Sequence, residues 1–263
     1  MMPIDLVLVR HGESEGNVAR RYSEKGDNSF FTEQFRNRHS SRLRLTDKGR
    51  QQARMAGMWI KKNIGTSFDR YFAAPYARAM ETGALMEFPD ANWHLDFYLR
   101  ERDAGLYDIL PEDEKMKRYP EEYKQYMLDP FYWTPPNGES IAQVCLRADR
   151  VLHTLHRECS DQRVLISSHG LMMWAFIIRI ERLTPMQYLN RSQSKKYKIH
   201  NCQIIHYSRR NSKTGELARR CEWVRSVCPV DMSSSNEWTR IKRPTFTNSQ
   251  LMRLVEESKR VIT

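Results

Sequence analysis

Two stretches carry the residue types best suited to chemistry. Leu6-Val7-Leu8-Val9 runs into Arg10-His11-Gly12, and Val164-Leu165-Ile166-Ser167-Ser168 runs into His169-Gly170. Arginine offers a rigid fork of donors that matches phosphate or carboxylate, and histidine is the side chain whose proton can come and go near neutral pH. Read alone, either histidine could be a polar strand end and nothing more. Two apolar runs of strand length that each deliver a His-Gly are hard to explain by packing, and with Arg10 they point to anion chemistry.

For these side chains to meet, the two runs must be strands of one sheet that end at the same edge. In open α/β sheets ligands bind beyond the carboxyl ends of parallel strands. The pattern between them supplies the rest of such a fold. Thr46 caps a helix to about Asn63, with Ala53, Ala56, Gly57 and Ile60 on one face. Phe68 to Ala73 reads as a strand, and Pro75 as a first helical residue opening Tyr76 to Met86. Arg78 then sits in the first turn, either as a surface arginine or beside free helix N–H groups that address the same anion. Trp93 to Leu99 reads as a strand delivering Arg100-Glu101-Arg102-Asp103. Ser140 and Gln143 form a capping box ahead of Ile141, Val144, Ala148, Val151, Leu152 and Leu155 at helical spacing. Leu171 to Arg182 is apolar nearly all round and so is a buried helix, and Thr184-Pro185 starts another. Cys202 to Tyr207 and Glu222 to Val227 read as an antiparallel hairpin. Thr247-x-x-Gln250 is a further capping signal, within Arg243 to Thr263. The alternation gives a three-layer α/β fold, a mostly parallel sheet with helices on both faces.

Arg10-His11-Gly12-Glu13-Ser14 with Asn17, followed by Ser168-His169-Gly170, resembles the histidine phosphatase superfamily, which contains phosphoglycerate mutases and many phosphatases. Between them Leu45-Thr46-x-x-Gly49-x-x-Gln52-Ala53, Pro75-Tyr76-x-Arg78-Ala79-x-Glu81-Thr82, Leu99-Arg100-Glu101 and Asn137-Gly138-Glu139-Ser140 match the family's pattern in order. The resemblance covers about Asp5 to Ser208. It implies that His11 is a nucleophile that takes a phosphoryl group, that Arg10, Arg78 and His169 surround the phosphoryl oxygens, and that Glu101 protonates the leaving oxygen. Ser14, Asn17, Arg102 and Gly170 join the substrate-contacting set. Glu13 is a competing carboxylate, or a structural partner for a nearby arginine. The resemblance also adds one antiparallel strand to the sheet. Ala74 departs from the family, where many relatives carry a serine before the proline.

Composition narrows the setting. With 43 Lys+Arg against 32 Asp+Glu the formal charge is +11, which favours an anionic partner. Charge alone does not choose among a phosphorylated metabolite, a nucleic acid and an acidic protein; the resemblance implies a small phosphorylated substrate, so nucleic acid is disfavoured, no membrane partner is expected, and a homo-oligomer is compatible. Five cysteines without a C-x-x-C pair indicate neither a disulfide framework nor a zinc site, and a cytoplasmic location is expected. His153 and His156 lack a further ligand at suitable spacing and read as solvent-facing, so no metal and no cofactor are expected. The chain reads as one domain over 1–263, a core of about 5–208 with an extension of about 209–263. The basic segment Arg20 to Arg44, with Phe30, Phe31 and Phe35, could be a solvated insertion, a substrate lid or a nucleic-acid surface. The aromatic loop Asp129 to Gly138 could wall a pocket or merely connect helices.

Three function classes follow: a phosphomonoester hydrolase with a phosphohistidine intermediate, a phosphoglycerate mutase-type phosphotransferase, and a non-catalytic binding module of the same fold. Retention of each catalytic position argues against the third. In mutases an Arg-His-Tyr-Gly-Gly-type run follows the glutamate, whereas here Arg102-Asp103-Ala104-Gly105-Leu106-Tyr107 places an acid second and no paired arginines follow. Hydrolysis is therefore expected over mutase action.

Overall fold

The computed structural model describes residues 1–256. Seven strands form one sheet: β1 (Asp5–Arg10), β2 (Arg70–Ala73), β3 (Trp93–Leu95), β4 (Arg163–Ser168), β5 (Ile204–Ser208), β6 (Trp223–Val227) and β7 (Asn236–Arg240), in the order β3-β2-β4-β1-β5-β6-β7. The first four pair in parallel, and β5, β6 and β7 are added by antiparallel ladders. Helices α1 (Glu15–Ser23), α2 (Glu33–Arg36), α3 (Asp47–Asn63), α4 (Ala77–Leu85), α5 (Glu112–Arg118), α6 (Pro120–Leu128), α7 (Ile141–Glu158), α8 (Gly170–Glu181), α9 (Pro185–Ser192) and α10 (Asn248–Glu256) complete it.

Strand side chains alternate between two cores, as the two-residue period of a sheet requires. Leu6, Leu8, Val164, Ile166, Ile205 and Tyr207 pack with Val144, Ala148 and Leu155 of α7 and with Met172, Met173 and Phe176 of α8. Val7, Val9, Tyr71, Leu165 and Ile204 pack on the opposite face with Ala53, Ala56 and Ile60 of α3. The three-layer α/β arrangement is thus present. The caps of α3, α7 and α9 form as the sequence predicts, with Thr46 accepting from Gly49 and reciprocal boxes at Ser140/Gln143 and Thr184/Gln187.

Three expectations need correction. The strand after Trp93 stops at Leu95, because the Asp96 side chain accepts from the Tyr98 N–H and turns Phe97–Leu99 into a 3₁₀ turn. Pro75 precedes the helix by two residues: Tyr76 is the N-cap of α4, which still leaves Arg78 in the first turn. The antiparallel hairpin read over Cys202 to Tyr207 and Glu222 to Val227 forms as β5 and β6, and the sheet departs from expectation at β7, which extends it by a further antiparallel ladder to β6. β7 itself carries no apolar alternation, and its extended form comes from pairing with β6. The Thr247/Gln250 cap opens α10, and the part of 243–263 past residue 256 lies outside the described residues. Among the described residues no helix is long and apolar enough to cross a membrane.

Candidate active site

The register of two strands brings the histidines together. In the parallel β1/β4 ladder Arg10 is opposite Ser168, and the His11 N–H continues it to the Ser168 carbonyl at 2.9 Å. His11 and His169 each follow a paired strand end, so their ring centroids lie 5.1 Å apart. The backbone crowds to allow this: a Cβ on Gly12 would sit 2.3 Å from the Gly49 carbonyl oxygen, and one on Gly49 would sit 2.0 Å from that of Glu13. Only glycine tolerates such an approach at either position.

Neighbours fix each side chain in turn. His11 Nδ1 faces the Gly12 carbonyl at 2.7 Å, so it carries the proton, and Nε2 accepts from Arg78 Nε at 3.3 Å. Arg78 also donates to the Ser40 carbonyl at 2.6 Å. Thr82 donates to the Arg78 carbonyl at 2.7 Å and accepts from the Gly12 N–H at 3.1 Å, which ties α4 to the first motif. Arg10 donates to the Ile199 carbonyl at 2.7 Å. Asn201 donates to the His11 carbonyl and to Asn17 Oδ1, both at 3.0 Å. His169 is fully buried, and neither ring nitrogen has a protein partner among the described residues. Burial, then Arg78 and Arg10, hold the His11 imidazole well below its ordinary range. For His169 burial comes first, then Arg78, His11 and Arg10. Both rings are therefore neutral at physiological pH.

Glu101 stands on the loop after the 3₁₀ turn Phe97–Leu99 and reaches the same point. His11, Glu101 and His169 present ligand-type atoms all within 4.8 Å of one another. Such a trio could in principle hold a metal. Yet Arg10 and Arg78 crowd the same point, and His11 Nε2 already accepts from Arg78. Two buried guanidinium groups favour an anion over a dication.

The structure brings Arg10, His11, Arg78, Glu101, Arg102, Ser14, Asn17 and Gly170 to one cavity of about 1000 Å³, with His169 against His11 and Tyr76 at its base. Ser14 and Asn17 also have a structural duty, since they form the reciprocal cap of α1. Gly170 starts α8, whose dipole and free N–H groups add positive potential. Glu13 bonds Arg21 and Thr46 away from the cavity, which favours the structural role for it. The aromatic loop contributes Trp133 to the cavity wall, and the basic segment contributes Arg20, Phe31, Phe35, Ser40 and Leu43. His153 and His156 are exposed on α7.

Sequence reasoning missed Asn201, the Ile199 and Ser40 carbonyls, Asp108 and Arg147. Asn201 was within reach, because it just precedes β5, which pairs with β1. Asp108 lines the cavity, and burial pushes its carboxyl up while Arg20, Ser40 and Arg78 pull it down. Arg147 is buried and donates to Glu139 and to the carbonyls of Tyr98, Arg100 and Glu101. Its apolar helical setting gave no such signal.

A buried anion pocket with two histidines and a carboxylate at the end of parallel strands defines a phosphoryl-transfer class. The chain matches the profile of the histidine phosphatase superfamily, branch 1, over residues 6–218, and it belongs to that family. It is 29% identical over 197 residues to the 2,3-bisphosphoglycerate-dependent phosphoglycerate mutase of Parvibaculum lavamentivorans, covering 72% of this chain and 85% of that one. The mutase of the same name from Bradyrhizobium sp. (strain ORS 278) is 31% identical over 192 residues, covering 71% and 85%. Among solved structures, the α-ribazole phosphatase of Shigella flexneri superposes with a TM-score of 0.62 at 21% identity, over 82% of this chain and 95% of that one. A mycobacterial glucosyl-3-phosphoglycerate phosphatase superposes with a TM-score of 0.61 at 20% identity, over 78% and 92%. These structures share the fold.

Proposed function

We propose that the protein is a phosphomonoester hydrolase acting through a phosphohistidine at His11 on a small phosphorylated metabolite. The observation that carries this reading is the buried His11, with Nδ1 held by the Gly12 carbonyl and Nε2 directed at the guanidinium of Arg78, where burial and the two arginines favour the neutral ring. Nε2 attacks phosphorus as the ester P–O bond breaks, and Glu101 protonates the departing oxygen. Glu101 then takes a proton from the water that attacks phosphohistidine, the P–N bond breaks and His11 returns neutral. Arg10, Arg78 and His169 meet the charge on the equatorial oxygens with preset donors, which is the main demand of phosphoryl transfer.

Asp103 after Arg102 and the lack of paired arginines between Asp103 and Asn137 support hydrolysis, since a mutase needs tight binding at both ends of a bisphosphorylated intermediate. The second reading is a phosphoglycerate mutase, favoured by the names of the curated relatives. One experiment separates them. Enzyme is mixed with 3-phosphoglycerate and a trace of 2,3-bisphosphoglycerate, with inorganic phosphate and 2-phosphoglycerate followed together, while labelled phosphoenzyme is trapped in parallel. Acid-labile, alkali-stable label on His11 with phosphate release outrunning interconversion is expected. His11→Ala should lose both label and turnover, by on the order of 10⁴-fold or more. Interconversion outrunning phosphate release would sink the hydrolase reading, and label on a serine or aspartate would sink the nucleophile.

A further inference from the structure

We propose that Asn201 is a positioning residue that fixes the side-chain amide of Asn17, so that its N–H groups and not its oxygen face the transferring phosphoryl group. The proposal rests on the phosphoryl site assigned above and adds to it a residue that does not itself line the cavity.

Two side-chain amides meet between the end of β1, the start of α1 and the turn ahead of β5. Asn201 Nδ2 donates to the His11 carbonyl and to Asn17 Oδ1, both at 3.0 Å, and the Ser14 N–H donates to the same Asn17 oxygen at 3.2 Å. The backbone groups at the two ends of this chain of bonds decide both orientations. A backbone N–H can only donate, so the Asn17 atom facing Ser14 is the oxygen. A backbone carbonyl can only accept, so the Asn201 atom facing His11 is the nitrogen. Each amide thus presents to the other the atom it needs. One Asn201 nitrogen touches both partners, which holds the Asn17 amide beside the backbone of His11. Asn17 lines the cavity, and with Oδ1 engaged by two donors its Nδ2 is the atom left for an anionic ligand.

The turn that carries Asn201 is tied firmly to the end of β1. Cys202 has φ of 56°, in the left-handed region that residues with a Cβ seldom enter. Its N–H reaches the carbonyls of Arg10 and His11 at 3.2 and 3.3 Å, and the Arg10 N–H donates to the Gln203 carbonyl at 3.0 Å. The Ile199 carbonyl accepts from the Arg10 guanidinium at 2.7 Å. These bonds hold the strained backbone in place, and strain kept beside a site points to a task there. Without Asn201 the His11 carbonyl would keep the Cys202 N–H. Asn17 would keep only the longer bond from Ser14 and could turn its amide.

The test is calorimetric titration with orthovanadate, which adopts the five-coordinate geometry of a phosphoryl group in transfer. The full chain is compared with Asn17→Ala, Asn201→Ala and the double variant. Asn17→Ala removes the donor and should weaken vanadate about tenfold or more. Asn201→Ala should weaken it several-fold, and the double variant should bind within about twofold of Asn17→Ala, because no amide is left to orient. The part of the α1 cap lost with Asn17 is common to both and cancels. Asn201→Leu, which keeps the bulk, answers the same question should the alanine variant misfold. The second readout is the Asn17 side-chain amide signal in proton–nitrogen correlation spectra, assigned by its absence from Asn17→Ala. It should shift when vanadate binds the unaltered protein and shift less in Asn201→Ala. Losses that add in the double variant, full-strength binding by Asn201→Ala, or an Asn17 signal that vanadate does not move overturn the proposal. Because titration needs no turnover, the expected pattern without phosphate release from any ester would sink the hydrolase reading and leave the role of Asn201 standing. Failure of the unaltered protein to bind vanadate would overturn both.

Discussion

His11 and His169 owe their neutrality to their surroundings, first to burial and then to Arg78 and Arg10. This carries a cost in stability that depends on pH. Below about 6.5 an unfolded chain begins to protonate histidines that the folded chain keeps neutral. The unfolded state then binds more protons, so stability rises with pH across this window and is lost as pH falls below it. The melting temperature should drop between pH 7 and pH 5, and His169→Asn should make that drop shallower. A parallel decline in both proteins would show that His169 does not carry the linkage. Glu101 belongs to the same scale. Its proton matters in proportion to the basicity of the leaving oxygen, so Glu101→Gln should slow alkyl phosphates by about 10²-fold or more and p-nitrophenyl phosphate far less. Equal losses on both substrates would point to another acid.

Among the elements, the loop that carries Glu101 is held by α7. Arg147 forms a bidentate pair with Glu139, both bonds at 2.9 Å, and Nη1 donates to the Tyr98 carbonyl at 2.6 Å. Its side chain is only 8% exposed and that of Glu139 only 15%, so the pair is more than a surface contact. Arg100 also reaches Glu139 at 2.7 Å and would retain part of the balance. Arg147→Met should cost about 3 kcal/mol and lower kcat on alkyl phosphates more than it raises KM, as expected when Glu101 is misplaced. A destabilised variant with unchanged kcat would reduce Arg147 to a structural role. This network also marks the limit of reading by sequence. The caps of α3, α7 and α9 were legible because capping is local, and His11 and His169 were legible because strand ends can be read from apolar runs, whereas Arg78, open between a surface and a site role in its first turn, was singled out by the family resemblance. Arg147 was not legible, because its partners lie up to 49 residues away on another element. Nor was β7, a polar edge strand whose conformation depends on β6.

For the molecule as a whole, the cavity is bounded by two segments that face each other across its mouth. The basic segment after α1 contributes Phe31, Phe35 and Ser40, and the segment leading to α6 contributes Tyr107, Asp108 and Lys115. They are clasped by Arg36 to Glu114 at 2.7 Å, by Asn28 to Asp113 at 2.9 Å, and by the Glu112 N–H to Ser23 Oγ at 2.9 Å. This placement favours the lid among the roles open to the basic segment, since Arg36 pairs with the opposing wall and Arg20 lines the cavity, while Arg21, Arg38 and Arg44 anchor the segment to Glu13, Glu15 and Glu81. The Arg36–Glu114 side chains are 29% and 24% exposed, so solvent screens the pair, and its contribution should not exceed about 1 kcal/mol. The global melt should then barely move in Arg36→Glu or Glu114→Arg. The effect belongs in substrate retention: each single reversal should raise KM by up to about fivefold, the equivalent of that energy, with kcat little changed. Combining the two reversals restores opposite charges across the mouth and should return KM toward that of the unaltered protein. A double variant as impaired as the sum of its parts would mean that the clasp does not control entry, and that the basic segment serves as scaffold alone.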